Sequence, residues 1–257
     1  PIRNICVLVS VKYIASCSFG KDSLAMILKL LELNYPLDEV VYFDIGAEFE
    51  SIYQNKERIK KELGKRGIQF TELKPKQDFF YTMLEKEVHK RNGQKQSGYK
   101  WCGGLCRWGT TLKLNAIKEN NKKYGNEFIV EYVGIALDEQ ERLQKERVKR
   151  RNNRLKLYPL AEWGMTEKDC LNHCYSKGWS WNENGIELYK VLDRVSCWCC
   201  RNKNLKELEN MFLFLPGYWE KLKGLQEKID IPFKTNRSIF ELEKIFLEKN
   251  RLFIKEK

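Results

Sequence analysis

Over its first half the chain alternates short apolar runs with amphipathic stretches. Tyr13-Ile14-Ala15-Ser16-Cys17 is an apolar run, and beyond Ser18-Phe19-Gly20-Lys21-Asp22-Ser23 the residues Leu24, Ile27, Leu28 and Leu31 recur at helical spacing. That order predicts strand, tight loop, helix. Val40-Val41-Tyr42-Phe43 reads as a buried strand closed by Asp44-Ile45-Gly46. Ile52, Ile59 and Leu63 mark a second helix that Gly64 and Gly67 end, and Ile68-Gln69-Phe70-Thr71 reads as a third strand. A helix is expected around Phe79–Val88, then a polar loop over Arg91–Lys100. A further helix carries Leu112, Leu114 and Ile117, and Phe128–Val133 supplies a fourth strand. The alternation predicts an α/β fold, a doubly wound and mostly parallel sheet that binds ligands at the carboxyl ends of its strands. From Asn204 onward Leu205, Leu208, Met211 and Phe212, then Trp219–Leu225 and Phe240–Phe253, predict helices. The expected division is a nucleotide-binding domain over 1–203, cysteines included, and a C-terminal helical extension over 204–257.

Composition narrows the class. With 42% apolar and 32% charged residues among 257, the chain is neither a disordered tail nor a fibrous repeat. Its longest apolar run, Ile5 to Ala15, is broken by Lys12 and Tyr13, so no spanning helix and no membrane partner is expected. The run lacks a small-residue cleavage site and does not read as a signal peptide. Nine cysteines, an odd and clustered set, predict reduced thiols available for metal in a cytoplasmic protein. A net charge of +12 points to phosphates, nucleotides or nucleic acid. Between Arg142 and Lys156 stand eight Lys/Arg against one Glu; Arg147, Lys149, Arg150, Arg151 and Arg154 are candidates for holding a phosphorylated substrate or an RNA or DNA backbone. Lys95, Lys100 and Arg107 extend that basic set. The competing reading is a solvated lid, given Glu141 and Glu146.

The loop between the first strand and helix carries the most chemistry. Its glycine lets the backbone bend toward a ligand, and the N–H groups of a helix start are donors to an anion. Ser18 and Ser23 add hydroxyls, Lys21 can neutralise phosphate charge, and Asp22 can cap the helix or hold magnesium. The two-glycine spacing of a Walker loop is missing. Without a ligand the same residues make a polar cap on an ordinary helix.

Ser16-Cys17-Ser18-Phe19-Gly20-Lys21-Asp22-Ser23 resembles the PP-loop of the adenine nucleotide alpha-hydrolase superfamily. More narrowly, the chain is similar to the phosphoadenosine phosphosulfate (PAPS) reductase family over about residues 12–200. Val41 to Glu50 resembles that family's second strand and turn, and Tyr158-Pro159-Leu160-Ala161-Glu162-Trp163 with Thr166 and Asp169 resembles its Pro-Leu-x-x-Trp-Thr-x-x-Asp segment. The resemblance implies a PP-loop fold with nucleotide-binding Ser16, Ser18, Phe19, Gly20, Lys21, Asp22, Ser23, Asp44 and Gly134, of which Lys21 and Asp22 are catalytic. Gly134-Ile135-Ala136-Leu137-Asp138-Glu139-Gln140 departs from the family's Gly-x-Arg-x-x-Glu-Ser, with Ala136 for the arginine that would contact substrate phosphate or sulfate. No cysteine follows Cys200, whereas the assimilatory reductases carry one in a C-terminal Glu-Cys-Gly segment.

Cys102-Gly103-Gly104-Leu105-Cys106 and Cys197-Trp198-Cys199-Cys200 supply five candidate ligands for four positions. Cys102, Cys106, Cys197 and Cys200 are the expected metal set, with Cys199 spare, and suit zinc or a four-iron, four-sulfur cluster. Buried free thiols are the alternative. Trp101, Trp108 and Trp198 flank the groups. Cys170 and Cys174, with His173 between them, and Cys17 are expected to pack in the core, and His89 to lie on the surface. Some APS reductases, DNA phosphorothioation ATPases and certain tRNA thiolases of this superfamily pair a PP-loop with cysteine-ligated iron–sulfur or zinc, which the two groups here resemble in plan. The expected function is therefore an ATP- and magnesium-dependent enzyme that adenylates a nucleobase or nucleic acid for sulfur transfer, with an adenine nucleotide, tRNA or DNA and a sulfur-donor protein as partners. A PAPS or APS reductase and a non-catalytic nucleotide- or nucleic-acid-binding module are the alternatives.

Overall fold

A computed structural model of the protein describes residues 10–147 and 153–251. Five strands form one parallel sheet: β1 (Val11–Ser16), β2 (Glu39–Phe43), β3 (Gln69–Leu73), β6 (Phe128–Val133) and β7 (Arg154–Leu157), in the order β3-β2-β1-β6-β7. This is the doubly wound α/β sheet that the alternating pattern predicts. Every residue of β2 is buried, as in a sheet covered on both faces. Helices α1 (Lys21–Glu32) and α2 (Glu50–Lys65) make the crossovers from β1 to β2 and from β2 to β3. The order reverses between β1 and β6, which puts the switch point of the sheet at the ends of Ser16 and Val133, a register pair.

The described chain divides into two compact units, each drawn from three stretches: 1–43, 52–73 and 114–180 in the first, 44–51, 74–113 and 181–257 in the second. In the first unit Ile14, Val41 and Ile129 form a core against Leu73, Ile117 and Tyr124. Helix α7 (Glu167–Ser176) packs on α1, capped by a reciprocal pair between Thr166 and Asp169. Glu39 is fully buried at the start of β2, yet hydrogen bonds from Lys123 Nζ (2.6 Å), Thr71 and Tyr124 outweigh the burial that opposes its charge and hold its carboxyl below the usual range.

The second unit holds the helices expected after residue 204: α9 (Leu205–Phe214), α10 (Pro216–Lys228) and α11 (Ile239–Lys249). Phe212, Trp219 and Phe246 join them, with ring centroids 5.5–6.0 Å apart. Among the described residues no helix is long and apolar enough to cross a membrane.

Two local expectations are corrected. The helix read over Phe79–Val88 stops early as α3 (Phe79–Leu84), and the polar stretch after it is a β-hairpin of β4 (Glu87–His89) and β5 (Lys95–Ser97). Downstream groups take the carbonyls a longer helix would use: Tyr99 N–H donates to Thr82, Lys100 N–H to Met83 and Gly98 N–H to Lys86. Gly98 is required there, since a Cβ would stand 2.1 Å from the Met83 carbonyl oxygen and its φ is +67°. The second is β7, an edge strand for which the apolar pattern predicts no element; before it the basic stretch holds α5 (Gln140–Arg147). β7 is only four residues long, Arg-Leu-Lys-Leu, too short an alternation to stand out from the basic stretch that precedes it.

Candidate functional site

The loop from Cys17 to Ser23 turns the end of β1 into α1 with Ser23 as its hub. Ser23 Oγ accepts the Ser18 N–H (3.0 Å), donates to the Gly20 carbonyl (3.2 Å) and lies 3.1 Å from Ser18 Oγ. Phe19 adopts a left-handed backbone (φ +59°), a strained choice for a bulky residue. Its fully buried ring offsets that strain, standing 5.0 Å from Tyr42 and 6.2 Å from Phe70. Phe19 thus anchors the loop through the core. Gly20 caps α1 with no side-chain hydrogen bond, leaving the first turn of the helix without a side-chain acceptor for its N–H groups. Gly134, just past β6, lies against that turn: a Cβ would come within 3.0 Å of Ser23 Cα and 3.2 Å of Ser23 N. The structure therefore gathers Ser16, Ser18, Phe19, Gly20, Lys21, Asp22, Ser23 and Gly134 at the switch point.

Charge is concentrated on the first turn of α1. Lys21 is buried and pairs with Asp22 Oδ2 (3.3 Å) and with Glu167. Burial works against its ammonium, but the two carboxylates more than compensate and raise it above the usual lysine value. Asp22 Oδ1 is buried with no hydrogen-bond partner among the described residues. Burial, offset in part by Lys21, pushes the Asp22 carboxyl up to about 6. Glu167 sits in the first turn of α7, its N–H donating to Asp138 Oδ1 (3.0 Å). Sequence reasoning missed Glu167, which stands 146 positions from Lys21 behind an ordinary capping box. Beneath the loop lie three packed thiols. Cys17 Sγ is 3.7 Å from Ser23 Oγ, Cys174 Sγ is 3.5 Å from the Lys21 carbonyl, and burial drives Cys170 and Cys174 well above the usual thiol value.

The second unit holds Asp44, Glu48 and the cysteines. Asp44 is buried and accepts the Gly46 N–H (2.8 Å). Burial, with Asp44 and Cys200 nearby and Lys113 and Lys203 opposing, pushes the Glu48 carboxyl up to about 7. The two cysteine loops are clipped together: Gly104 N–H donates to Asn202 Oδ1 (2.8 Å) and Asn202 Nδ2 donates back to the Gly104 carbonyl (3.0 Å). Backbone donors converge on the sulfurs. Arg107 N–H reaches Cys102 Sγ (3.3 Å), Trp108 and Gly109 serve Cys106, and Asn202 serves Cys200. A hydrogen bond from Cys106, aided by Arg107, pulls Cys102 down to about 6. Cys197 and Cys199 are hydrogen-bonded neighbours of the same loop. Among the described residues no three His, Cys, Asp or Glu side chains stand together in ligating geometry. Four thiols on two joined loops, with N–H groups aimed at sulfur, nonetheless fit zinc or an iron–sulfur cluster in donor type and in outer-shell support. Trp101, Trp108 and Trp198 are buried around them.

The basic residues divide. Lys149, Arg150 and Arg151 lie outside the described residues, and Arg147 ends α5. Arg154 opens β7 and pairs with Glu131 (3.4 Å). Lys95 and His89 are exposed on the hairpin and share Glu87, Lys100 pairs with Asp230, and Arg107 stacks on Tyr99 at 4.0 Å.

Comparison with known proteins follows the same lines. The family model described as the phosphoadenosine phosphosulfate reductase domain matches residues 12–183. An uncharacterised protein of Methanocaldococcus jannaschii is 26% identical over 237 residues, an alignment covering 87% of this chain and 43% of that protein. The chain thus spans less than half the length of that relative. The structure is similar to the U34-tRNA thiolase NcsA from Methanococcus maripaludis, solved with its 4Fe-4S cluster, at a TM-score of 0.45 and 12% identity over 95% of this chain and 73% of that one. With the family domain covering well over half of its length, the chain belongs to the phosphoadenosine phosphosulfate reductase domain family.

Proposed function

We propose that the protein is an ATP-dependent enzyme that adenylates an oxygen of a nucleobase, most simply in a nucleic acid, for replacement by sulfur. The observation that carries this reading is the first turn of α1: a helix start without a side-chain cap, at the switch point of the sheet, bearing a buried Lys21 and a half-buried Asp22 whose Oδ1 is buried with no hydrogen-bond partner among the described residues. Such a turn suits a pyrophosphate leaving group. The acceptor oxygen attacks the α-phosphorus and pyrophosphate departs. A sulfur nucleophile then attacks the activated carbon, and AMP leaves with the oxygen. Lys21 and the N–H groups of the first turn stabilise charge on the departing pyrophosphate, and Asp22 would hold its magnesium. Cys102, Cys106, Cys197 and Cys200 would hold zinc or an iron–sulfur cluster, which when bound supplies either a brace for the two loops or a place for sulfide.

Family membership favours one second reading, reduction of a sulfonucleotide at the same loop. Ala136 argues against it: the position at which the family pattern has a substrate-binding arginine is a fully buried alanine here. Exchange of labelled pyrophosphate into ATP, with magnesium and a nucleic-acid mixture, separates the readings. The proposal expects exchange that Lys21→Ala reduces at least a hundredfold. Sulfite release from PAPS with thioredoxin, without exchange, would replace it by the reductase reading; ATP binding with neither reaction would leave a non-catalytic module.

A further inference from the structure

Residues 74–113 hold nine Lys/Arg against three Asp/Glu, a surplus of six, which is half of the net +12 in under a sixth of the chain. Outside the stretch from Arg142 to Lys156, the first unit has about as many carboxylates as cations, with pairs such as Lys12–Asp38, Lys56–Glu72, Lys123–Glu39 and Lys177–Glu32. The β4–β5 hairpin and its flanks, residues 86–100, have one carboxylate, Glu87, for five cations. His89 (2.9 Å) and Lys95 (3.1 Å) share it in the open. Asp230, outside the hairpin, pairs with Lys100 and attracts Lys90 from a distance, while Lys90 and Arg91, exposed at the tip, form no ion pair of their own among the described residues.

This surface is built rather than loose. Besides the hydrogen bonds from Gly98, Tyr99 and Lys100, Ser97 Oγ donates to the Leu84 carbonyl (2.9 Å), so β5 is fastened to the end of α3. Tyr99 at the root stacks on Arg107, whose N–H reaches Cys102 Sγ, and Trp108 Nε1 donates to Thr82 Oγ1 (3.0 Å) under the same root. The hairpin and the first cysteine loop therefore share one support. Neutral amides, Asn92, Gln94 and Gln96, alternate with the cations and can address sugars and base edges, as an acidic peptide would not require. None of the large apolar residues exposed among the described residues falls on the hairpin, so nothing there inserts into a lipid surface.

We infer that the β4–β5 hairpin is a nucleic-acid arm that takes the phosphodiester backbone of the acceptor through Lys90, Arg91 and Lys95 and leads it toward the cysteine loops. The inference rests on the proposed nucleic-acid acceptor but not on the adenylation step. It is tested on the full chain by fluorescence anisotropy with labelled transfer RNA and with duplex DNA across a salt series. Lys90→Glu/Arg91→Glu should weaken binding at least tenfold and flatten the dependence of log K on log salt by about one to two units, while Lys90→Arg/Arg91→Lys retains both. The tighter of the two probes identifies the kind of strand. If the charge-reversed protein unfolds below the wild-type temperature, Lys90→Ala/Arg91→Ala takes its place with the same expectation and a smaller loss. Equal affinity and slope for wild type and variant would overturn the arm while leaving the acceptor reading intact. Failure of the wild type to bind either probe would overturn both, and capture of polyglutamate alone would assign the hairpin to an acidic protein instead.

Discussion

Asp22 turns one carboxylate oxygen to Lys21 and buries the other without a hydrogen-bond partner among the described residues, which is unfavourable for folding and useful for binding a cation. Its folded value of about 6 lies above the ordinary 3.8, so folding favours the protonated form. That contribution is complete below the ordinary value and is lost as pH rises through about 6, about 3 kcal/mol by neutral pH. Asp22→Asn should therefore raise the melting temperature by a few degrees at pH 7.5 and change it little at pH 4, while abolishing nucleotide turnover; scans at the two pH values check this. Glu39 has the opposite sign, contributing above its ordinary value and losing that contribution as acid protonates it. Under the proposed function Glu167 would compete with phosphate for Lys21, so Glu167→Gln should tighten ATP binding about fivefold in calorimetric titration, roughly 1 kcal/mol. Weaker binding would show that the carboxylate instead helps to hold the nucleotide's cation. Lys21 and Asp22 were legible in the sequence because their chemistry is local to one loop. Glu167 was not, since only the packing of α7 on α1 brings it near.

At the scale of elements, the approach of β6 to the first turn of α1 sets the site. Gly134→Ala places a Cβ about 3 Å from backbone atoms of Ser23, which cannot rotate away, so pyrophosphate exchange should fall sharply while circular dichroism stays native. The two cysteine loops make a parallel case. Cys102→Ser and Cys200→Ser should each lower bound zinc or iron, and Asn202→Ala should do so with every thiol present, because it opens the clip; metal analysis decides, and full metal content in both serine variants would refute the ligand set. Periodicity found β1, β2, β3 and β6 and their helices because apolar runs of a covered sheet are distinctive. It overextended α3 because the groups that stop that helix come from Gly98, Tyr99 and Lys100, which no local pattern reveals. It passed over β7 because an alternation of only four residues, at the end of a basic stretch, is too short to mark a strand.

Across the whole molecule, the surplus charge has two addresses, the stretch from Arg142 to Lys156 and the stretch from Lys74 to Lys113. The first was evident as a run of like residues. The second was hidden because its nine cations are spaced through helix, hairpin and loop. A nucleotide alone does not need so much positive surface, and the excess is what favours a nucleic-acid acceptor. Family membership and the loop at the switch point are the grounds on which we propose an adenine nucleotide, and the proposed acceptor would turn that binding into a reaction. The most direct test is product analysis with ATP labelled at the α-phosphate, metal-replete protein, magnesium, sulfide and transfer RNA or DNA. The account predicts AMP and pyrophosphate in equal amounts, only when the acceptor is present and not with Lys21→Ala. ADP and phosphate as products, or AMP formed equally by Lys21→Ala, would contradict it.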